Sequence, residues 1–315
     1  MKLHQLIAQY VAFRKSLGAK FECNETVLRI FSRVIGKCRN LPNVKPREVA
    51  AFLNGRGPLT RNWHKKYIVL RSFFRYAVSR GYLSTSPLPT TVPKLPERYK
   101  PYIYSQEELR RLLGHTATAQ TRRFQMEAYT FRTLLLLLYG AGLRVSEALS
   151  LNLDDVDLQE AVLGIRHTKF FKTRLVPLGS ELNGVMKEYA KQRKATGHSQ
   201  DGDAPFFVST LGTRLGRRLL ERNFQRLRTQ AGVCREDGAR YQPRLHDLRH
   251  AAAVHRLTAW YREGKDVQRL LPLLSTYLGH VDLVSTQLYL TMTPELLHEA
   301  SKRFSKYVFG EGDHD

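Results

Sequence analysis

Between Arg244 and Tyr289 the sequence gathers side chains suited to attack on a phosphodiester. His246 and Arg249 stand as His-x-x-Arg, Leu278, Gly279 and His280 follow about thirty residues on, and Tyr289 comes nine residues after His280. Arg249 offers a planar fork of donors that fits two oxygens of a phosphate and stays charged at any working pH. His246 lies one helical turn earlier and faces the same way. Tyr289 supplies an oxygen that can be joined to phosphorus, which divides one difficult step into two easier ones. Each of these is commonplace alone: a His-x-x-Arg is usually a solvated helix face, and a tyrosine near the end of a chain is usually core. Their combination in this order is what points to chemistry. His246 and His250 also have the i, i+4 spacing of a zinc pair, but no Glu of a His-Glu-x-x-His and no evident third ligand accompany them, so no metal is expected.

Composition narrows the partner. The 315 residues carry a formal charge of +23, which calls for a polyanion, nucleic acid first and an anionic membrane surface second. Residues 1 to 95 hold 18 Lys or Arg against 3 Glu, so most of the excess lies in less than a third of the chain. The longest apolar run, Leu134 to Tyr139, is too short to cross a bilayer. The opening residues lack the apolar stretch of a signal peptide, so a cytoplasmic location is expected. Cys23, Cys38 and Cys234 are widely spaced and read as reduced, buried thiols.

The elements that must position this chemistry are mainly helical. Apolar periodicity predicts helices over 3–17, 25–37 and 46–53, then a long one capped by Thr60 and ended by Gly81, with Trp63, Tyr67, Leu70, Phe74, Ala77 and Val78 on one side. Arg61, Lys65, Lys66, Arg71 and Arg75 fall largely off that stripe with no acid on the same helix, which suggests phosphate contact. Pro87, Pro89, Pro93, Pro96 and Pro101 mark a semi-extended linker, assigned to 91–101 between a helical bundle over 1–90 and a larger domain over 102–315. Beyond it, Ser105 and Glu108 form a capping box, 124–139 reads as a long helix whose last part, Leu134 to Leu138, is apolar all round and so buried, and Gly140 and Gly142 break it before Arg144. An arginine at a helix N-terminus opposes the dipole unless an anion sits beside it. Alternation over 161–167 and 174–178 predicts a hairpin of two short strands whose turn holds Lys169 and Lys172. Helices follow over 180–194, 217–230 and 245–262, then a helix that ends at Leu278-Gly279-His280 and contains Pro272, and a short helix over 282–290 that bears Tyr289. A last helix opens at Thr293-Pro294 with Leu296, Leu297, Ala300, Phe304 and Val308 on one side, free to fold back on its own domain or to dock on a neighbour.

The order of these residues resembles the tyrosine recombinase (integrase) family, strongly over the second domain and weakly over the first. The stretch Gly142-Leu-Arg144-Val-Ser-Glu147 matches that family's first arginine motif, and the resemblance assigns Arg144 the role of phosphate clamp beside Arg249. It also selects Lys169, eight residues before Pro177, as the hairpin lysine. Lys172 is the runner-up, because Phe170 and Phe171 replace the small residues usual at that turn. His246, His280 and the nucleophile Tyr289 complete the set; Tyr277, which precedes His280 instead of following it, is a weaker candidate. The resemblance implies a mainly α fold with a small sheet, in which an N-terminal helical core-binding bundle precedes an α+β catalytic domain. It further implies site-specific cutting and rejoining of duplex DNA at an inverted-repeat core site, with no cofactor, by a tetramer of identical or related recombinases. A type IB topoisomerase and a catalytically silent DNA-binding relative are the alternatives.

Overall fold

The computed structural model describes residues 1–96, 100–117, 125–166, 173–239, 241–280, 282–291 and 293–309. It divides into two compact units, Met1–Tyr99 and Lys100–Asp315. The sequence-predicted lysines Lys169 and Lys172 lie outside the described residues.

The first unit is built from α1 (Leu3–Ser16), α2 (Glu22–Ile35), α3 (Pro46–Asn54) and α4 (Arg61–Ser79). Pro46 opens α3, where its missing amide costs nothing because the first turn has no acceptor for it. Leu6, Leu28, Phe31, Val49, Leu70, Phe73 and Phe74 fill the core, each buried side chain contributing roughly 1.5 to 3 kcal/mol before entropy is counted. Of the basic residues on α4, Arg61, Lys65, Arg71 and Arg75 are exposed. Lys66 is turned inward, where its ammonium donates to the Phe52 carbonyl at 2.8 Å and lies 4.6 Å from the Phe52 ring centre. That carbonyl belongs to the last turn of α3, the end of a helix that favours a cation. The proline-rich segment is held against α4 by hydrogen bonds from Arg61 to the Pro96 carbonyl and from the His64 ring to that of Pro93. Cys23 and Cys38 are exposed, as is Cys234 in the second unit, which corrects the expectation of buried thiols. On α2 the core face is taken by Leu28, Phe31 and Ile35, and Cys23 falls off it.

The second unit contains α5 (Gln106–Gly114), α6 (Ala128–Gly140), α7 (Val145–Ser150), β1 (Val156–Asp157), β2 (Val162–Ile165), β3 (Arg174–Pro177), α8 (Ser180–Ala195), α9 (Arg217–Gln230), α10 (Asp247–Arg262), α11 (Val267–Leu278), α12 (Val284–Gln287) and α13 (Pro294–Phe309). Helix α6 starts at Ala128, with Gln125 before it at a positive φ of 48°; residue 124, where the helix was expected to open, lies outside the described residues. The three strands form one antiparallel sheet in chain order, with Leu163 opposite Val176 and Ile165 opposite Arg174. Strand β1 escaped the sequence reading, being only two residues long. Phe131, Leu134, Leu137 and Leu138 of α6 pack with Leu163, Val176, Phe224 and Leu248 in the main core. A smaller cluster joins Val254 and Leu257 of α10, Leu271 and Leu274 of α11, Leu296 of α13 and Tyr289. Helix α13 thus rests on its own domain through buried Leu296 and an ion pair from Arg262 to Glu295, while Leu297 and Phe304 are exposed.

Candidate active site

The short link between α6 and α7 creates the first half of the site. Gly142 takes a φ of +59°, and a Cβ there would sit 2.8 Å from a Leu278 methyl, so only glycine lets the turn pass beneath α11. Arg144 then becomes the N-cap of α7, and Glu147, at the third helical position, accepts from its backbone amide at 3.0 Å and from its guanidinium at 2.6 Å. The carboxylate therefore supplies the anion that a cation at a helix N-terminus requires. Glu147 also takes both terminal nitrogens of Arg174 on β3, at 3.0 and 2.7 Å. Burial alone would raise this carboxyl, but hydrogen bonds from Arg174 and Arg144 outweigh it and hold the group at about 2.

Helix α11 supplies the second half. Its final turn closes with Gly279 in the left-handed conformation, and the amides of Gly279 and His280 turn back to Thr276 and Ser275. The next three carbonyls each take a different arginine: Tyr277 accepts from Arg174 Nε at 3.2 Å, Leu278 from Arg249 Nη2 at 2.5 Å and Gly279 from Arg144 Nη2 at 2.7 Å. Carbonyls at a helix C-terminus have no intrahelical donor and carry the negative end of the dipole, which is why three cations can be gathered there. Arg249 is buried and also donates to the Gly142 carbonyl at 2.6 Å. Burial and the neighbouring Arg144 push it down to about 10, so it remains charged at neutral pH.

Tyr289 lies in the single turn that follows α12, not in a continuous helix over 282–290, and its ring is buried. Its hydroxyl is 3.1 Å from His250 Nδ1. His246 stacks edge-on against His250, with ring centres 4.9 Å apart. His280 lies 5.9 Å from the Tyr289 ring centre and shares a hydrogen bond of 2.7 Å with the Thr286 hydroxyl. Burial above all, reinforced by nearby positive groups, depresses His246, His250 and His280 to about 4 each, so all three are neutral at pH 7. Burial raises the Tyr289 phenol, with Arg249 and Arg144 pulling it part of the way back, so it too is protonated. A protonated nucleophile beside a neutral imidazole is a donor beside an acceptor.

Five of the six expected catalytic residues, Arg144, His246, Arg249, His280 and Tyr289, are thus assembled around the end of α11, and Lys169 lies outside the described residues. Two residues that the structure places among them were missed. His250 was legible as a second histidine on the face of His246, and Arg174 as an arginine in phase with buried Val176 on a strand. Tyr277, the rival nucleophile, points away: its hydroxyl is hydrogen-bonded to the Pro177 carbonyl at 3.4 Å, and burial raises its phenol.

An integrase of the transposon Tn1549 in complex with a circular intermediate DNA superposes with a TM-score of 0.70 at 18% identity, covering 96% of this chain and 99% of that one. A lambda integrase tetramer bound to a Holliday junction gives 0.65 at 18%, covering 92% and 77%. At such identities the likeness is one of fold alone. Sequence comparison reaches further: residues 103–295 match the phage integrase family. The chain is 36% identical over 305 residues to y4rB of Sinorhizobium fredii, named as an integrase/recombinase, covering 96% of each. It is 31% identical to tyrosine recombinase XerA of Thermococcus kodakarensis, covering 80% of this chain and 78% of that one. The chain belongs to the phage integrase family and is a site-specific tyrosine recombinase.

Proposed function

We propose that this protein cuts and rejoins duplex DNA through a 3′-phosphotyrosyl intermediate formed on Tyr289, and exchanges strands between two duplexes by way of a Holliday junction. The observation that carries this reading is the Tyr289 hydroxyl, buried beside the Arg249 guanidinium and hydrogen-bonded to a neutral imidazole. In the first step Tyr289 Oη forms a bond to phosphorus and the bond from phosphorus to the 5′ oxygen breaks. The phenolic proton passes to Nδ1 of His250, and Lys169 protonates the departing 5′ oxygen. Arg144 and Arg249 hold the non-bridging oxygens, with His280 as a third donor, so charge that grows in the transition state meets donors already in place. His246 orients His250 from behind. The phosphotyrosyl bond keeps the energy of the broken linkage for rejoining, so the two strand transfers need no nucleotide.

The exposed basic residues Arg61, Lys65, Arg71 and Arg75 of the first unit, together with Lys172, serve as phosphate contacts along a duplex bearing an inverted-repeat core site. The assembly is a tetramer on two such duplexes, in keeping with the named state of the lambda integrase above. The reaction serves a mobile element, in keeping with the transposon named for the Tn1549 integrase, or the resolution of a replicon. The test starts from a duplex recovered by footprinting the purified protein on DNA flanking its own gene. On a nicked form of that duplex the native protein gives a covalent adduct that maps to Tyr289, and Tyr289→Phe binds but gives none. An adduct that persists in Tyr289→Phe, or maps to Tyr277, overturns the reading.

A further inference from the structure

Resting on that reading, we propose that Arg174 is a positioning residue of the reaction: it shares the Glu147 carboxylate with Arg144 and packs beneath Gly279, and so aims the Arg144 guanidinium at the scissile phosphate. Arg144 is one-third exposed and rests on two acceptors, Glu147 Oε1 and the Gly279 carbonyl. Arg174 controls both of them. Its Nη1 and Nη2 bind the two oxygens of Glu147, and its Nε binds the carbonyl of Tyr277 two residues before Gly279. Its guanidinium fills the space beside Gly279, where an added Cβ would lie 2.6 Å from Nη1.

All three nitrogens of Arg174 are directed at protein acceptors and its side chain is only 11% exposed, so it is not itself a phosphate ligand. What it does is electrostatic as well as steric. A carboxylate paired with Arg144 alone would cancel most of the charge that Arg144 presents to DNA. Shared with a second guanidinium, and with Arg249 of α10 close by, the same carboxylate fixes the direction of Arg144 and leaves the cluster positive. The bidentate geometry also ties β3 to the end of α11.

The experiment uses the full chain and two readouts, one of them independent of catalysis. On the nicked duplex, Arg174→Gln lowers the rate of adduct formation by about a hundredfold, the scale of a small misplacement of a catalytic group, with DNA affinity within about threefold of native. Arg174→Lys, which restores charge without the fork, recovers about a tenth of the native rate. In DNA-free protein labelled at glutamate carboxyl carbons, Glu147 stays ionised through the acid range in which the native protein is folded. In Arg174→Gln it protonates at a higher pH, because burial is then opposed by Arg144 and the more distant Arg249 only. Adding Glu147→Gln removes that titration and causes little further loss of rate. Should Arg174→Gln fail to fold, Arg174→Lys supplies both comparisons. A native rate in the Arg174 variants, or an unchanged Glu147 titration, overturns the proposal. Absence of any adduct with the native protein strikes instead at the recombinase reading, and the titration still decides whether Arg174 governs Glu147.

Discussion

The Tyr289 hydroxyl lies 3.1 Å from His250 Nδ1, and His246 stands behind that ring, 4.9 Å away between centres. His250 is therefore the imidazole hydrogen-bonded to the nucleophile, whose hydroxyl also meets the Arg249 guanidinium. Replacing His250 with Gln should slow adduct formation by about a hundredfold or more, the lower range for loss of a positioned base. His246→Gln should cost clearly less. The His250→Gln defect should shrink as pH rises toward the phenol's own ionisation, when no base is needed. Single-turnover rates between pH 7 and 9.5 measure this; a larger defect in His246→Gln would reverse the assignment.

Arg249→Lys and Arg144→Lys keep a charge but lose the fork, and each should add about 2 to 4 kcal/mol to the cleavage barrier. The two should differ in stability. Arg249 satisfies the carbonyls of Gly142 and Leu278 in a buried setting, whereas Arg144 is partly exposed. Arg249→Lys should therefore also destabilise the fold, by about 1 to 3 kcal/mol for each acceptor left unpaired. Denaturant unfolding alongside the rate assay separates the effects.

Gly279→Ala should be harmful although it adds one methyl group. The residue sits at φ +67°, where a side chain costs about 1 to 2 kcal/mol, and the new Cβ would displace the Arg174 guanidinium from Glu147. Activity should fall by more than the lost stability accounts for, which a comparison of rate per folded molecule with melting temperature reveals.

Acid should unfold the catalytic unit in a way that traces to its histidines. His246 and His250 are depressed to about 4 from an ordinary value near 6.5. The unfolded chain therefore binds more protons than the native one between those values. The stabilisation is complete above about pH 6.5 and is lost as pH falls toward 4, at up to about 1.4 kcal/mol per pH unit for each group. Unfolding free energies measured from pH 7 to 4.5 should fall less steeply for the His246→Gln, His250→Gln double variant than for the native protein.

Lys169 is tested through the leaving group. A bridging 5′-phosphorothiolate departs as a sulfur that needs little protonation, so Lys169→Ala should be slow on ordinary DNA and largely rescued on the thio strand. Rescue of Lys172→Ala but not of Lys169→Ala would place the general acid three residues further on.

What the sequence by itself determined is what spacing along one element can carry. His246 and Arg249 share a helical face, Glu147 follows Arg144 at the distance of a capping box, and Pro46, Ser105 and Gly279 mark helix ends through backbone preferences that act locally. The order of Arg144, Arg249, His280 and Tyr289 placed the chain in its family before any geometry was known. What only the tertiary structure decided depends on residues far apart in the chain. The alternation around Arg174 could place it on an inward strand face, but not opposite a carboxylate 27 positions away. Two histidines at i, i+4 could not be ranked until the turn after α12 set the Tyr289 hydroxyl against one of them. Lys66 has the pattern of a solvated charge, and only the packing of α3 on α4 turned it to the Phe52 carbonyl. The physical reason is common to all three. Periodicity reports which way a side chain leaves its own backbone, whereas a charged or titratable group takes its role from the partner it meets and the water it loses, and both come from another part of the chain.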